Sequence, residues 1–183
     1  LAALLQAFDE ARQLAVLVRH GLVVESAPRV VVGPPVDAGA RDGSLTRRQA
    51  ERLSGVTAVM AEGLMVMNPQ GKVTFINPEA QRLLGWHGDE LLGQDGHALI
   101  HHHFPDGREA PQETCPIQAV ANTREVYRSE NEVFFRKDGS PLAVGVSAAP
   151  LLLGDTLEGT VLVFTDLSRV KAYQAEIQHL AFH

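Results

Sequence analysis

The sequence predicts an α+β domain: a five-stranded antiparallel sheet with short helices over one face and flanking helices at the N- and C-terminal ends. Three observations lead there. Strand-like stretches with two-residue periodicity fall in two groups, two before a run of short helical segments and three after it. Helical spacing brackets them on both sides. The chain has 183 residues, 45 % hydrophobic and 21 % charged, enough for a real core and unlike a disordered chain. Sixteen basic against 22 acidic side chains give a net charge of -6, which argues against a general nucleic-acid binder. No apolar stretch approaches the ~20 residues that span a bilayer, so membrane insertion is not expected. The opening Leu1–Leu5 run is broken by Gln6, Asp9 and Glu10 and lacks the basic flank of a signal peptide. Cys115 has no second cysteine to pair with, which points to a reducing, cytoplasmic setting. The chain opens on Leu1 and stops at His183 within a helical pattern, so it reads as a piece of something longer.

Leu1, Leu4, Leu5, Phe8, Ala11, Ala15 and Val18 follow helical spacing and predict an amphipathic helix over residues 1–22. Val30-Val31-Val32 could form a short strand, but Pro34-Pro35 and the glycines and aspartates that follow point to a linker, so residues 1–43 read as a helical segment and linker. Ser44 can cap a helix that runs to about Met60. Residues 64–67 and 73–76 predict a hairpin about Asn68-Pro69-Gln70-Gly71. Short helices follow over 78–84 and 88–92, then a polar loop over 94–110 with an apolar patch at 98–100, then a helix over 111–121. Strands are predicted over 125–136, 141–152 and 159–165, and a final helix carries Val170, Tyr173, Ile177 and Leu180. The body of the domain is then 44–169, with 170–183 as an outgoing helix. A cavity between the sheet and the short helices is the natural place for a ligand.

Gly63-Leu64, Asn68 with Gly71, Phe75-Ile76-Asn77-Pro78-Glu79-Ala80, Gly85-Trp86, Glu90-Leu91-Leu92-Gly93, Arg136-Lys137-Asp138-Gly139-Ser140 and Phe164-Thr165-Asp166-Leu167 occur in this order. Together they resemble a PAS domain, the sensory module of many bacterial signalling proteins, over roughly residues 45–170. The resemblance implies a sensor without catalytic residues of its own, with Thr165 and Asp166 passing a signal into the helix that follows. Residues 175–183 resemble the joint that precedes a GGDEF domain in diguanylate cyclases and their fused phosphodiesterases. The GGDEF signature is absent from these residues, so only the input half would be present and a cyclic-di-GMP output domain would follow.

Candidate pocket residues are Phe75, Asn77, Leu83, Trp86, Leu92, Ile100, Cys115, Ile117, Val120, Phe134, Val146 and Val163, which could surround a small apolar ligand or simply fill the core. Asn77 can also cap the helix it precedes, and Asp166 the outgoing one. In an extended loop His101 and His103 share a face and could join Cys115 on a metal, although a fourth ligand is lacking. Haem would need an axial histidine; the resemblance to oxygen-sensing haem PAS proteins implies one in the 116–122 stretch, which has none, and His97 or His103 could act from neighbouring loops. Flavin photochemistry would need an Asn-Cys-Arg-Phe-Leu motif that is missing here; a flavin stacked near Trp86 stays open. Nucleophilic catalysis would need Cys115 beside a histidine held by an acid, and no motif supports it. The three-four-three spacing of Val170, Tyr173, Ile177 and Leu180 predicts a homodimer seam. The expected function is a cytoplasmic sensor and dimerisation module that relays a ligand or redox state to an output domain. A ligand-free scaffold and a haem- or metal-based gas or redox sensor are the alternatives.

Overall fold

Leu64 to Met67 are apolar at every position, and the strand that carries them is buried on both faces. In the computed structural model, which describes residues 30–32, 60–153 and 155–181, this strand is β2 (Gly63–Met67). It lies between β3 (Val73–Ile76) and β6 (Thr156–Asp166), antiparallel to both. β6 pairs with β5 (Pro141–Leu153), and β4 (Tyr127–Phe135) completes the expected five-stranded antiparallel sheet. A sixth strand, β1 (Val30–Val32), runs parallel to the end of β5, with Val30 opposite Leu151. This is the short strand that Val30-Val31-Val32 could form, and the linker read over residues 33–43 lies outside the described residues. β4 leaves β5 at Ala148, and β1 takes the edge beyond it. The helices predicted over 1–22 and 44–60 lie outside the described residues, as does the 183 end of the last helix.

The short helices are α1 (Pro78–Leu84), α2 (Gly88–Leu91), α3 (Gly96–Ile100) and α4 (Pro116–Thr123), with a 3-10 turn at Gln112–Thr114. α3 falls in the predicted polar loop. It is started by Asp95, whose carboxylate accepts from the Ala98 amide at 3.1 Å. The helix predicted over 111–121 is interrupted at Cys115, because Pro116 holds the residue before it in extended backbone (φ -67°, ψ 118°). The sheet ends in α5 (Ser168–Ala181).

The main core lies between the sheet and α1–α4, and includes Met65, Met67, Leu84, Leu91, Val120, Phe134, Val144, Leu162 and Phe164. A smaller cluster of Leu64, Val66, Phe75 and Val161 sits on the opposite face of the sheet. Gly63 is required by this packing: a Cβ there would come within 2.3 Å of the Phe164 ring. Gly139 turns β4 into β5 at φ +81°, where a side chain would be strained.

Asn77 joins the two halves of the domain. Its Oδ1 accepts from the Ala80 amide at 2.9 Å, capping α1, and from the Leu64 amide at 2.9 Å, fixing the start of β2. Its Nδ2 donates to the Glu62 carbonyl at 3.1 Å. Asn77 itself is fully buried, and its side chain is spent on backbone rather than on lining a pocket. Replacing Asn77 by alanine would leave the buried Leu64 amide without its acceptor and uncap α1. Asn77→Ala is therefore expected to lower unfolding stability by about 2 kcal/mol in urea titration. A loss below about 0.5 kcal/mol would contradict the clamp.

Candidate functional site

β4 carries an irregularity that makes the site. Tyr127 and Ser129 lie opposite Ala148 and Val146, but the next partners are Glu132 opposite Val144 and Phe134 opposite Leu142. Directly paired residues share a face, and Val144, Val146 and Ala148 all face the core. The extra residue between Ser129 and Glu132 thus switches the strand's inward positions from odd to even numbers. Glu132 is turned into the core by this bulge and is 9 % exposed.

His101 meets it there. It ends α3, is 5 % exposed, and its Nε2 lies 2.8 Å from Glu132 Oε2. Its other nitrogen, Nδ1, lies 3.3 Å from the sulfur of Cys115, which is 4 % exposed. The Tyr127 hydroxyl donates to the remaining carboxylate oxygen, Oε1. Burial works against a charged imidazole, but the hydrogen bonds to Cys115 and Glu132 outweigh it and hold the His101 pKa up at about 9. Burial likewise pushes Glu132 up, yet its bonds to His101 and Tyr127 prevail and its pKa is lowered. Tyr127 is raised to about 12 by burial and by the carboxylate beside it. The result is a thiol–imidazolium–carboxylate–phenol chain inside the domain.

His97 lies one helical turn before His101, its ring edge-on to it at 5.7 Å. Its Nε2 is 2.8 Å from the Ala110 carbonyl, whereas its Nδ1 is buried without a hydrogen-bond partner among the described residues. A void of about 10 Å³, lined by His97, His101, Cys115, Met67, Phe134 and their neighbours, sits beside the cluster. That is room for about one water, far below the ~300–1,000 Å³ of a small-molecule pocket.

The candidate pocket residues divide accordingly. Leu83, Ile100, Cys115, Ile117, Val120, Phe134 and Val146 pack together in the main core, with Trp86 against its edge. Leu92 does not join them: it follows α2 and is 43 % exposed. Phe75 belongs to the cluster on the outer face, because a register shift between β2 and β3 puts it opposite Val66. Val163 packs on that same face, since it alternates with the inward Leu162 and Phe164. His103 is not beside Cys115. It is bridged by its backbone to Glu109, and its ring contacts His102 and Phe135. His97 takes the place expected of His103, because residues 96–100 are helical and four-residue spacing replaces two-residue spacing. Asp166 caps the outgoing helix, its Oδ1 accepting from the Ser168 amide at 2.8 Å. Thr165 and Asp166 line an open groove of about 590 Å³ with Leu167 and Val170. Glu132 and Tyr127 are site residues that the sequence reading missed, and His97 entered it only as a possible haem ligand.

A family profile described as the PAS fold matches residues 58–172, more than half of the chain. A probable diguanylate cyclase of Escherichia coli, DgcE, is 26 % identical over 137 residues, covering 74 % of this chain and 12 % of that protein. The chain thus spans about an eighth of that relative's length. The crystal structure of a PAS domain from Colwellia psychrerythraea superposes with a TM-score of 0.52 at 19 % identity, covering 65 % of this chain and 97 % of that one. An RNA-binding light-oxygen-voltage receptor gives 0.57 at 18 % identity, covering 82 % and 41 %. These two likenesses show the fold. Among the described residues, no helix is long and apolar enough to cross a membrane.

Two outcomes follow from the buried chain. Glu132→Ala strands the imidazolium and is expected to cost about 3–5 kcal/mol of stability in urea titration, whereas a loss under about 1 kcal/mol would contradict the pairing. The pH dependence has a definite sign. The raised His101 pKa contributes stability that is full below 6.5 and lost as pH climbs through about 9. The lowered Glu132 pKa contributes stability present above 4.5 and lost as pH falls through its folded value. Thermal melts in chelator should therefore show Tm falling between pH 6.5 and about 9, with the slope flattened in a His101→Asn/Glu132→Gln double variant. A flat wild-type profile over that interval would be the contrary result.

Proposed function

The chain belongs to the PAS fold family, and on that premise we propose that it is a sensory and dimerisation module that relays a change at its buried polar chain through β6 and α5 to an output domain. The observation that carries this reading is the continuity of β6. Leu162 and Phe164 are fully packed in the core, and the same strand delivers Asp166, which starts α5. Phe164 meets Phe134 edge-on at 5.2 Å, and Phe134 meets the His101 ring at 5.5 Å. A rearrangement at His101 has packed aromatic neighbours as far as Phe164, which lies two residues before Asp166 in the same strand. Leu167, at that root, is held by a 2.8 Å bond from its amide to the Ala143 carbonyl and packs over Gly145.

The helix itself has a partner to find. Val170, Tyr173, Ile177 and Leu180 are 50–71 % exposed, an apolar stripe at coiled-coil spacing. A parallel pairing of two such helices would bring two output domains together, and a stimulus alters output only as far as it favours one pairing over another. The likeness to a probable diguanylate cyclase supports cyclic-di-GMP synthesis as that output, and the single cysteine supports a reducing cytoplasmic setting. The close-packed interior supports a second reading, a dimerisation scaffold that takes no small organic ligand.

Sedimentation equilibrium is expected to find a concentration-dependent dimer that Ile177→Glu with Leu180→Glu converts to monomer. A monomer at all concentrations would contradict the seam. Hydrogen exchange separates the two readings: Glu132→Gln should change protection in α5 if the module relays, and leave it unchanged if it only scaffolds.

A further inference from the structure

We propose that His97, His101 and Cys115 form a buried binding site for a borderline-to-soft transition-metal ion, zinc or copper. One nitrogen of each ring and the cysteine sulfur lie within 4.8 Å of one another, and all three residues are buried. The hydrogen bonds decide which nitrogens are free to bind. The Ala110 carbonyl can only accept, so the His97 proton sits on Nε2 and its lone pair on Nδ1. The Glu132 carboxylate likewise holds the Nε2–H of His101, leaving Nδ1 toward the sulfur. Both rings are thus oriented by an oxygen acceptor behind them, the arrangement that fixes histidine ligands in metal sites. A carbonyl serves one and a carboxylate, itself steadied by Tyr127, serves the other.

The second observation is independent of the cysteine. His97 is 7 % exposed, lines the small void beside Cys115, and its Nδ1 has no hydrogen-bond partner among the described residues. A buried polar atom left bare is costly, and a metal ion would satisfy it. The spacing suits the bond lengths. A nitrogen and a sulfur bound to one tetrahedral zinc stand about 3.5 Å apart, and His101 Nδ1 and Cys115 Sγ stand 3.3 Å apart. Binding forms two metal–nitrogen bonds and one metal–sulfur bond, and releases to solvent any proton held at His101 Nδ1 or Cys115 Sγ. Met67 borders the same void. Two histidines and a cysteine with a water complete a zinc set, and with a distant methionine a copper set.

The site does not depend on the signalling reading, and its failure would leave that reading standing. The test strips the full chain with chelator and titrates it with Co²⁺, then with Zn²⁺ and with Cu⁺ kept reduced. Wild type is expected to bind one equivalent of Co²⁺ with a thiolate-to-cobalt charge-transfer band and the strong visible bands of a tetrahedral ion. Zn²⁺ or Cu⁺ should displace it stoichiometrically. Cys115→Ser should lose the charge-transfer band, His97→Gln should weaken binding at least ~100-fold, and Glu132→Gln ~10–100-fold. His103→Ala should bind as wild type does, with circular dichroism checking that each variant is folded. The wild-type cobalt spectrum reports the thiolate ligand even if a variant does not fold. Absence of that band and of stoichiometric binding in wild type would overturn the proposal. So would equal binding by folded His97→Gln, or loss of binding in folded His103→Ala.

Discussion

The imidazole of His101, held between the Glu132 carboxylate and the Cys115 sulfur, is the contact on which the interior is organised. It ties the end of α3, the start of α4 and the middle of β4 in one place. A carboxylate and an imidazolium so deep in a protein are poor sources of stability, because each loses its water. They are tolerated here because each remaining polar position has a use. Tyr127 donates to the second carboxylate oxygen, and the sulfur meets Nδ1. What the arrangement supplies is orientation. A ring fixed at both nitrogens cannot turn, and Phe134 and Phe164 pack against it in sequence toward the exit of the sheet.

The cluster has the membership of a nucleophilic triad without its surroundings. A thiol, an imidazole and a carboxylate stand in order, but the sulfur is 4 % exposed and the space beside it holds about 10 Å³. A substrate carbonyl would need much more room and an approach from solvent. The same three groups in a closed core are better suited to holding an ion or a proton than to turning over a substrate. That fits a family whose fold is sensory.

The fold was legible because its signals are local and repeated. Short apolar runs at 64–67, 73–76 and 161–164, Pro78 after a capping Asn77 and the Asp138-Gly139 turn each specify their own element. The site was not, because it depends on two departures from regular period. Tyr127 and Phe134 both face the core from one strand although they are seven residues apart, which an even alternation forbids. That conflict is the trace of the bulge, and it is what brings Glu132 inside. Residues 96–100 make a helix too short to show a full apolar period, so the His-rich stretch looks extended and pairs His101 with His103. As a helix it pairs His97 with His101. Phe75 fails for the first of these reasons, through the register shift beside Val66.

The site requires both rings to be anchored by Nε2, with the buried Nδ1 of His97 bare and the Nδ1 of His101 toward the sulfur. Long-range proton–nitrogen NMR spectra of the histidine rings in chelator-treated protein read this atom by atom. The expected spectrum gives His97, when neutral, a proton on Nε2 and a bare Nδ1, and gives His101 a hydrogen-bonded proton on Nε2. A neutral His97 protonated on Nδ1 instead would leave the Ala110 carbonyl without its donor, close the lone pair that a metal would take, and contradict this arrangement.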